Sequence, residues 1–227
     1  MDNSKSLIPR IIESGKSLSQ LVKLESKITG CILTSAKYSN NRKVKFFINH
    51  SQFEQGPNKV ISIIYKLILD FHGEHGELPP KLIINLDNCF RENKNQFVLG
   101  FLFYLVETSV FQEIELLFLM VGHTGNNVNQ LFSILCTQFK RKEIRTVEDL
   151  VFYIENSPII PKPEVEELEY VWDFKKHYEG IRTGMMSQHS FSHAFCIRRE
   201  DEITRFIQKL YPQSEKYIPE SGLKLIK

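Results

Sequence analysis

The heptapeptide Lys81–Asp87, KLIINLD, limits the folds open to this chain. Leu82, Ile83, Ile84 and Leu86 crowd into six residues without apolar–polar alternation. A strand of that kind is apolar on both sides and needs cover on both faces of its sheet. The segment from about Asn95 to Val110, NQFVLGFLFYLVETSV, is apolar almost all round, as a buried helix would be. Glu113–Val121, EIELLFLMV, reads as a second buried strand. Strand, helix and strand in that order imply a layered α/β fold with parallel central strands.

The flanking segments extend this plan. Lys27–Ala36 and Lys43–His50 read as strands joined by the turn residues YSNNRK, which predicts an antiparallel hairpin. A helix opens at Pro57, carries a stripe of Val60, Ile64, Leu67, Ile68 and Phe71, and ends at Gly73 and Gly76. A later helix has its stripe at Val128, Leu131, Phe132, Leu135 and Phe139, and Thr146 starts a short one with Glu148 and Asp149 in its first turn. A short helix is expected near Leu18–Leu24. Residues 158–167, with three prolines, read as a linker between a core over 1–157 and a small α+β extension over 168–227. That extension is expected to hold a helix over Leu168–Tyr178, two strands meeting near Glu200 and Asp201, and a last strand in GLKLIK.

Composition narrows the function classes. Hydrophobic residues make up 42% of 227, with 17 Phe and 8 Tyr, which is enough apolar surface to exclude a disordered chain. A net charge of +2 gives no overall electrostatic footprint of nucleic-acid binding, although a local patch could supply one. The run Phe97–Val106 is too short to cross a membrane. No apolar stretch follows the charges of MDNSKSLIPR, so no signal peptide is expected and an intracellular location, nuclear or cytoplasmic, follows. Cys31, Cys89, Cys136 and Cys196 form no CxxC pair, which argues for free thiols and against a zinc knuckle.

Candidate chemistry gathers at two strand ends. Asp87-Asn88 is good turn material, but a carboxylate at the tip of a buried strand can also hold a metal ion. Right-handed crossovers put the C-terminal ends of both central strands on one edge, so Asp87 and His123 are expected to approach. Glu92, Asn93, Lys94 and Asn95 keep Asp87 polar company. Metal-assisted phosphoryl transfer needs carboxylates fixed on rigid strand ends. His123, in VGHTGNN, suits a general base, a metal ligand or a structural role. Asn126, Asn127 and Asn129 open the next helix with amides, one of which serves as a cap, and supply no negative charge. Lys140, Arg141 and Lys142 form a basic run that is either a solvated helix end or a nucleic-acid contact. His72 and His75, at a helix end, read as solvent-exposed loop residues, and no P-loop, dinucleotide or HExxH motif is present.

Together KLESKITG, GELPPKLIINLDNCFRENKNQFVLGFLFYLVETSVF, IELLFLMVGHTGNNVNQLFS and RTVEDLVFYIENS resemble a large, uncharacterised, transposon-related eukaryotic domain family of unknown function. The family's usual wording is close to LPxxLxxQLDNCxxENKNxYVLxFLxxLVExGVFxxVxxxFLPVGHTHEDIDQxFS. MDNSKSLIPR resembles its DGMDQSKTxLP segment, and HSFSHAFCIRR with YIPESGLKLIK resembles its β-rich tail. The resemblance implies a ribonuclease H-like mixed sheet flanked by helices, the architecture of DDE transposases and integrases. It makes Asp87 the second catalytic carboxylate and His123 the motif histidine. Asn129 stands where the third metal-binding Asp is expected. The first strand, with the first carboxylate, would precede Met1, so that strand is expected to be missing or replaced. Asp2 matches the Asp of MDQ but has no strand to hold it.

The resemblance therefore implies a degenerate, noncatalytic, transposon-derived protein. It would retain nucleic-acid binding, to DNA or RNA, through Lys94, Lys140, Arg141 and Lys142. Mg2+ or Mn2+ would bind at Asp87 only in a working site. A homo-oligomer or a partner chain could cover the missing strand. Two alternatives stand beside it. One is an active Mg2+-dependent nuclease or transposase-type enzyme built on Asp87, His123 and either Asp2 or Glu92. The other is a structural protein-interaction module.

Overall fold

The computed structural model describes residues 26–35, 42–50, 55–86, 89, 92–118, 127–140, 142–178, 194–200, 203–209 and 223–226. The helix expected near Leu18–Leu24 lies outside them. The architecture is mixed α/β. In chain order it runs β1 (Ser26–Ser35), β2 (Lys43–His50), α1 (Pro57–His75), β3 (Lys81–Leu86), α2 (Gln96–Glu107), β4 (Glu113–Phe118), α3 (Asn127–Phe139) and α4 (Val147–Glu155). Then come β5 (Glu164–Glu167), α5 (Phe174–Tyr178), β6 (Ala194–Glu200), β7 (Ile203–Lys209) and β8 (Leu223–Ile226).

The strands lie in the order β5-β2-β1-β8-β3-β4-β6-β7. The predicted hairpin is present, with Ser26 opposite His50 and Leu33 opposite Lys43. The two strands around α2 are parallel, from Lys81 opposite Glu113 to Leu86 opposite Phe118. β8 is antiparallel to β1 and parallel to β3, and among the described strands it joins the group β5-β2-β1 to the group β3-β4-β6-β7 within the sheet. It follows that β2, β3, β4, β5 and β8 all run the same way, and their C-terminal ends share one edge.

Both faces of the sheet are dry where helices cover it. Phe46 and Phe47 are adjacent on β2, must point to opposite faces, and are both 0% exposed. Phe47 joins Leu82, Ile84, Leu116 and residues of α1 and α2, among them Val60, Leu67, Val98 and Leu102. Phe46 joins Ile28, Ile32, Val44 and residues of α3 and α4, among them Val128, Leu135, Leu150 and Ile154. Each such side chain contributes about 1.5–3 kcal/mol on burial.

Local chemistry sets the helix ends much as the sequence predicts. Pro57 sits in the first turn of α1, and Gly76 closes it at φ 74°, its N–H donating to the His72 carbonyl over 2.8 Å. Thr146 caps α4 in a reciprocal box with Asp149.

Two expectations are corrected. The helix predicted over Leu168–Tyr178 is confined to Phe174–Tyr178. Trp172 precedes it outside any helix or strand, its N–H donating to Ser62 Oγ over 3.0 Å and its ring 5.4 Å from that of Tyr65. Packing on α1 thus overrides the helical pattern. Within the predicted linker, Glu164–Glu167 forms β5 and pairs parallel with β2. Lys45 holds this acidic strand, with Nζ 2.8 Å from Glu166 and 2.6 Å from Asp70, and Lys66 adds a 2.6 Å ion pair to Glu166. The segment 168–227 contributes β6, β7 and β8 to the same sheet as the hairpin.

Gly30 on β1 shows how closely α3 lies on the sheet. A Cβ at this position would stand 3.0 Å from the Phe46 ring and 3.2 Å from the Phe132 ring. Those rings already meet edge to face at 5.8 Å. We predict that Gly30→Ala lowers the urea midpoint, at a cost of roughly 1–3 kcal/mol from overpacking. The loss should shrink in a Phe132→Leu background. An equal loss in both backgrounds would mean that the α3 contact is not its cause.

Candidate functional site

The C-terminal ends of β2, β3 and β4 share one edge of the sheet. Leu86 and Phe118 are register partners at the ends of β3 and β4. Asp87 follows Leu86 directly, and His123 lies five residues beyond Phe118. The segments bearing them therefore depart from adjacent points of one edge. Asp87, His123, Asp2 and Arg141 themselves lie outside the described residues.

The residues after Asp87 build a helix entry. The N–H groups of Asn93 and Lys94 donate to the Cys89 carbonyl over 2.9 and 3.1 Å. The Asn95 side chain accepts from the N–H groups of Phe97 and Val98 over 3.0 and 3.1 Å and donates to the Glu92 carbonyl over 2.9 Å. Asn95 is thus the cap of α2, with the preference for Asn that such positions have.

This turn carries an interior cation. Lys94 is 2% exposed, and its Nζ stands 5.1 Å from the centre of the Phe118 ring at the tip of β4. Burial pushes its pKa below the usual lysine value, because the charged form loses solvation. Asn93 beside it is 1% exposed.

A second buried cation, Lys59, comes from the first turn of α1 and is 1% exposed. Its ammonium bonds Gln55 Oε1 and lies 3.9 Å from the Glu92 carboxylate. Sequence reasoning passed over Lys59, although a signal exists. A lysine in a helix's first turn opposes the dipole, and α1 has no acidic residue there to offset it.

The other candidates are more distant. Asn129 is half-buried in the first turn of α3, its carbonyl accepting from Ser133 Oγ over 3.0 Å. Lys140 and Lys142 follow the far end of α3 and are exposed. At 1.5 Å per residue, Lys140 stands about 16 Å along the helix from Asn129. Lys142 Nζ is 5.5 Å from the Tyr153 ring centre. The structure therefore brings Lys94 to the strand edge and keeps Lys140 and Lys142 away from it.

The opposite edge holds an acidic cluster. Ligand atoms of Glu113, Glu115 and Cys196 lie within 4.8 Å of one another. Lys81 Nζ sits 2.7 Å from Glu113 and 3.2 Å from Glu115. Its pKa is raised, since the two carboxylate hydrogen bonds outweigh the opposing effect of burial. The lysine supplies the positive charge that the two carboxylates need.

Fold and site together define a mixed α/β domain whose polar edge is organised by a capped turn and two buried lysines. The chain belongs to the family described as Domain of unknown function (DUF7869), which matches it over residues 16–214. No curated protein and no solved structure matches it. Among the described residues, no helix is long and apolar enough to cross a membrane.

Lys94 yields a signed prediction. A lysine whose folded pKa lies below its unfolded value binds fewer protons folded than unfolded, so its contribution improves as pH rises between the two values. Lys94→Met should therefore raise Tm at neutral pH, and the gain should fade as pH climbs toward 10.5, the ordinary lysine value. Thermal melts of both proteins across that range check it. A variant less stable than the parent by a pH-independent margin would mean that the contact with Phe118 outweighs desolvation.

Proposed function

We propose that this chain is a transposon-derived domain with a ribonuclease H-like core, catalytically disarmed, that binds nucleic acid without cutting it. The observation that carries the reading is strand order. A ribonuclease H-type sheet has a mid-sheet strand antiparallel to one neighbour and parallel to the other. β8 has that relation to β1 and β3. The hairpin on one side and the parallel pair on the other complete the same order. The motif resemblance of the regions around Asp87 and His123 supports it independently.

Loss of catalysis is supported by charge. Divalent-metal chemistry on phosphates needs several carboxylates at one place. Here amides stand at Asn126, Asn127 and Asn129. Glu92, the acidic residue of the turn after β3 that could rebuild the site, lies beside Lys59. Lys94 adds another cation at the same edge. This donor set does not suit a pair of Mg2+ or Mn2+ ions, and no step is derived through them. The two buried cations instead make the potential of that edge favourable to a phosphate. The exposed Lys140 and Lys142 supply a second point of attachment along α3.

The test is a salt series of fluorescence anisotropy with labelled duplex DNA, run beside a cleavage assay in Mn2+. Binding without cleavage is expected. Lys140→Ala with Lys142→Ala should lower the slope of log K against log salt by about 2, roughly one unit per phosphate contact. Calorimetry should find no Mn2+ binding by the parent chain, and binding once Asn126, Asn127 and Asn129 are all Asp. Cleavage that Asp87→Ala abolishes would overturn the disarmed reading in favour of an active nuclease. Failure to bind DNA or RNA at low salt would favour the protein-interaction module.

A further inference from the structure

The slot between β1 and β3 sits in the middle of the sheet, and among the described residues Leu223–Ile226 fills it. On one side Ile32 pairs with Ile226 and Leu33 with Leu225. On the other Leu82 pairs with Leu223, Ile83 with Lys224 and Ile84 with Leu225. These five residues of β1 and β3 are all buried. An empty slot would therefore leave two apolar strand edges with unpaired N–H and C=O groups, an arrangement prone to recruit another strand.

Among the described residues β1 shares ladder positions with β8 over Ile32–Ser35. The four described residues of β8 hold this central position by four register pairs on each side. Residues 210–222 separate it from β7. Thirteen residues can span at most about 45 Å.

We propose that this slot is a strand-acceptor site, and that the same 223–226 segment of a second copy of the chain can occupy it in trans. The occupant's identity rests on the segment seen in the slot. Its ladder bonds to Ile32–Ser35 and to Leu82–Asn85 would be the same from either chain, so exchange requires no new interface. The proposal is independent of any nucleic-acid role, because it uses only backbone pairing in the sheet.

The test uses the full chain and a fluorescent synthetic peptide of residues 221–227, SGLKLIK. Sedimentation should find a dimer whose fraction rises with protein concentration. The peptide should be taken up saturably and should lower that fraction, because it competes for the slot. A peptide with Leu225→Pro, which lacks a ladder N–H, should bind at least tenfold more weakly. A chain that stays monomeric at every concentration overturns the proposal. So does a dimer that the peptide leaves unchanged, since its contacts would then lie elsewhere.

Discussion

The continuity of the sheet depends on the ladders that β8 makes with β1 and β3. Without them, among the described strands, the hairpin group and the parallel group share no ladder. The parallel sense of β8 and β3, with the antiparallel sense of β8 and β1, makes β2 and β3 run alike. That common direction brings the start of α1, the turn after β3 and the end of β4 to a single edge. The meeting of Lys59 with Glu92, one from α1 and one from the turn, is a direct consequence.

Burial on both faces then stiffens what the ladder joins. Phe46 and Phe47 bind opposite helix layers from neighbouring positions, so a slip of β2 by one residue would exchange the two cores. Gly30 lets α3 approach β1 between two aromatic rings. The edge is therefore supported by a well-covered sheet, and the Asn95 cap aligns the turn with α2. Lys94 is held against Phe118 by that same rigidity. A flexible turn would let the ammonium reach water, and the desolvation that lowers its pKa would vanish.

Much of this was legible in residues whose meaning is local. The run LIINL announces a strand covered twice, and the hairpin follows from two apolar segments around YSNNRK. Pro57, Gly76 and Thr146 mark helix ends by chemistry that acts within a few residues. Long-range pairing was harder to read. EVEE has an acidic composition unlike a strand's, and it becomes β5 because Lys45 and Lys66 meet Glu166 from elsewhere in the chain. LKLI is readable as a strand, but nothing near it says that its place is mid-sheet. At the site, Lys94 looked like a surface contact because lysines usually are. Its burial depends on where Phe118 arrives. Asp87 and His123 could be assigned to one edge by topology, and the pairing of Leu86 with Phe118 puts their points of departure side by side.

On the proposed reading, the charge of this edge decides the function. Carboxylates at a strand tip attract divalent ions, and the ions in turn neutralise phosphate. When amides replace the carboxylates, the ions lose their attraction, and phosphate would meet whatever charge remains. What remains among the described residues is Lys59 and Lys94, with Glu92 set against the first of them. Both lysines are buried, so they would make the potential of the edge favourable to phosphate without touching it. A domain that lost its carboxylates would thus lose cleavage without losing attraction for nucleic acid. The two properties separate because catalysis needs negative charge to collect metal, whereas binding needs a positive potential to draw phosphate.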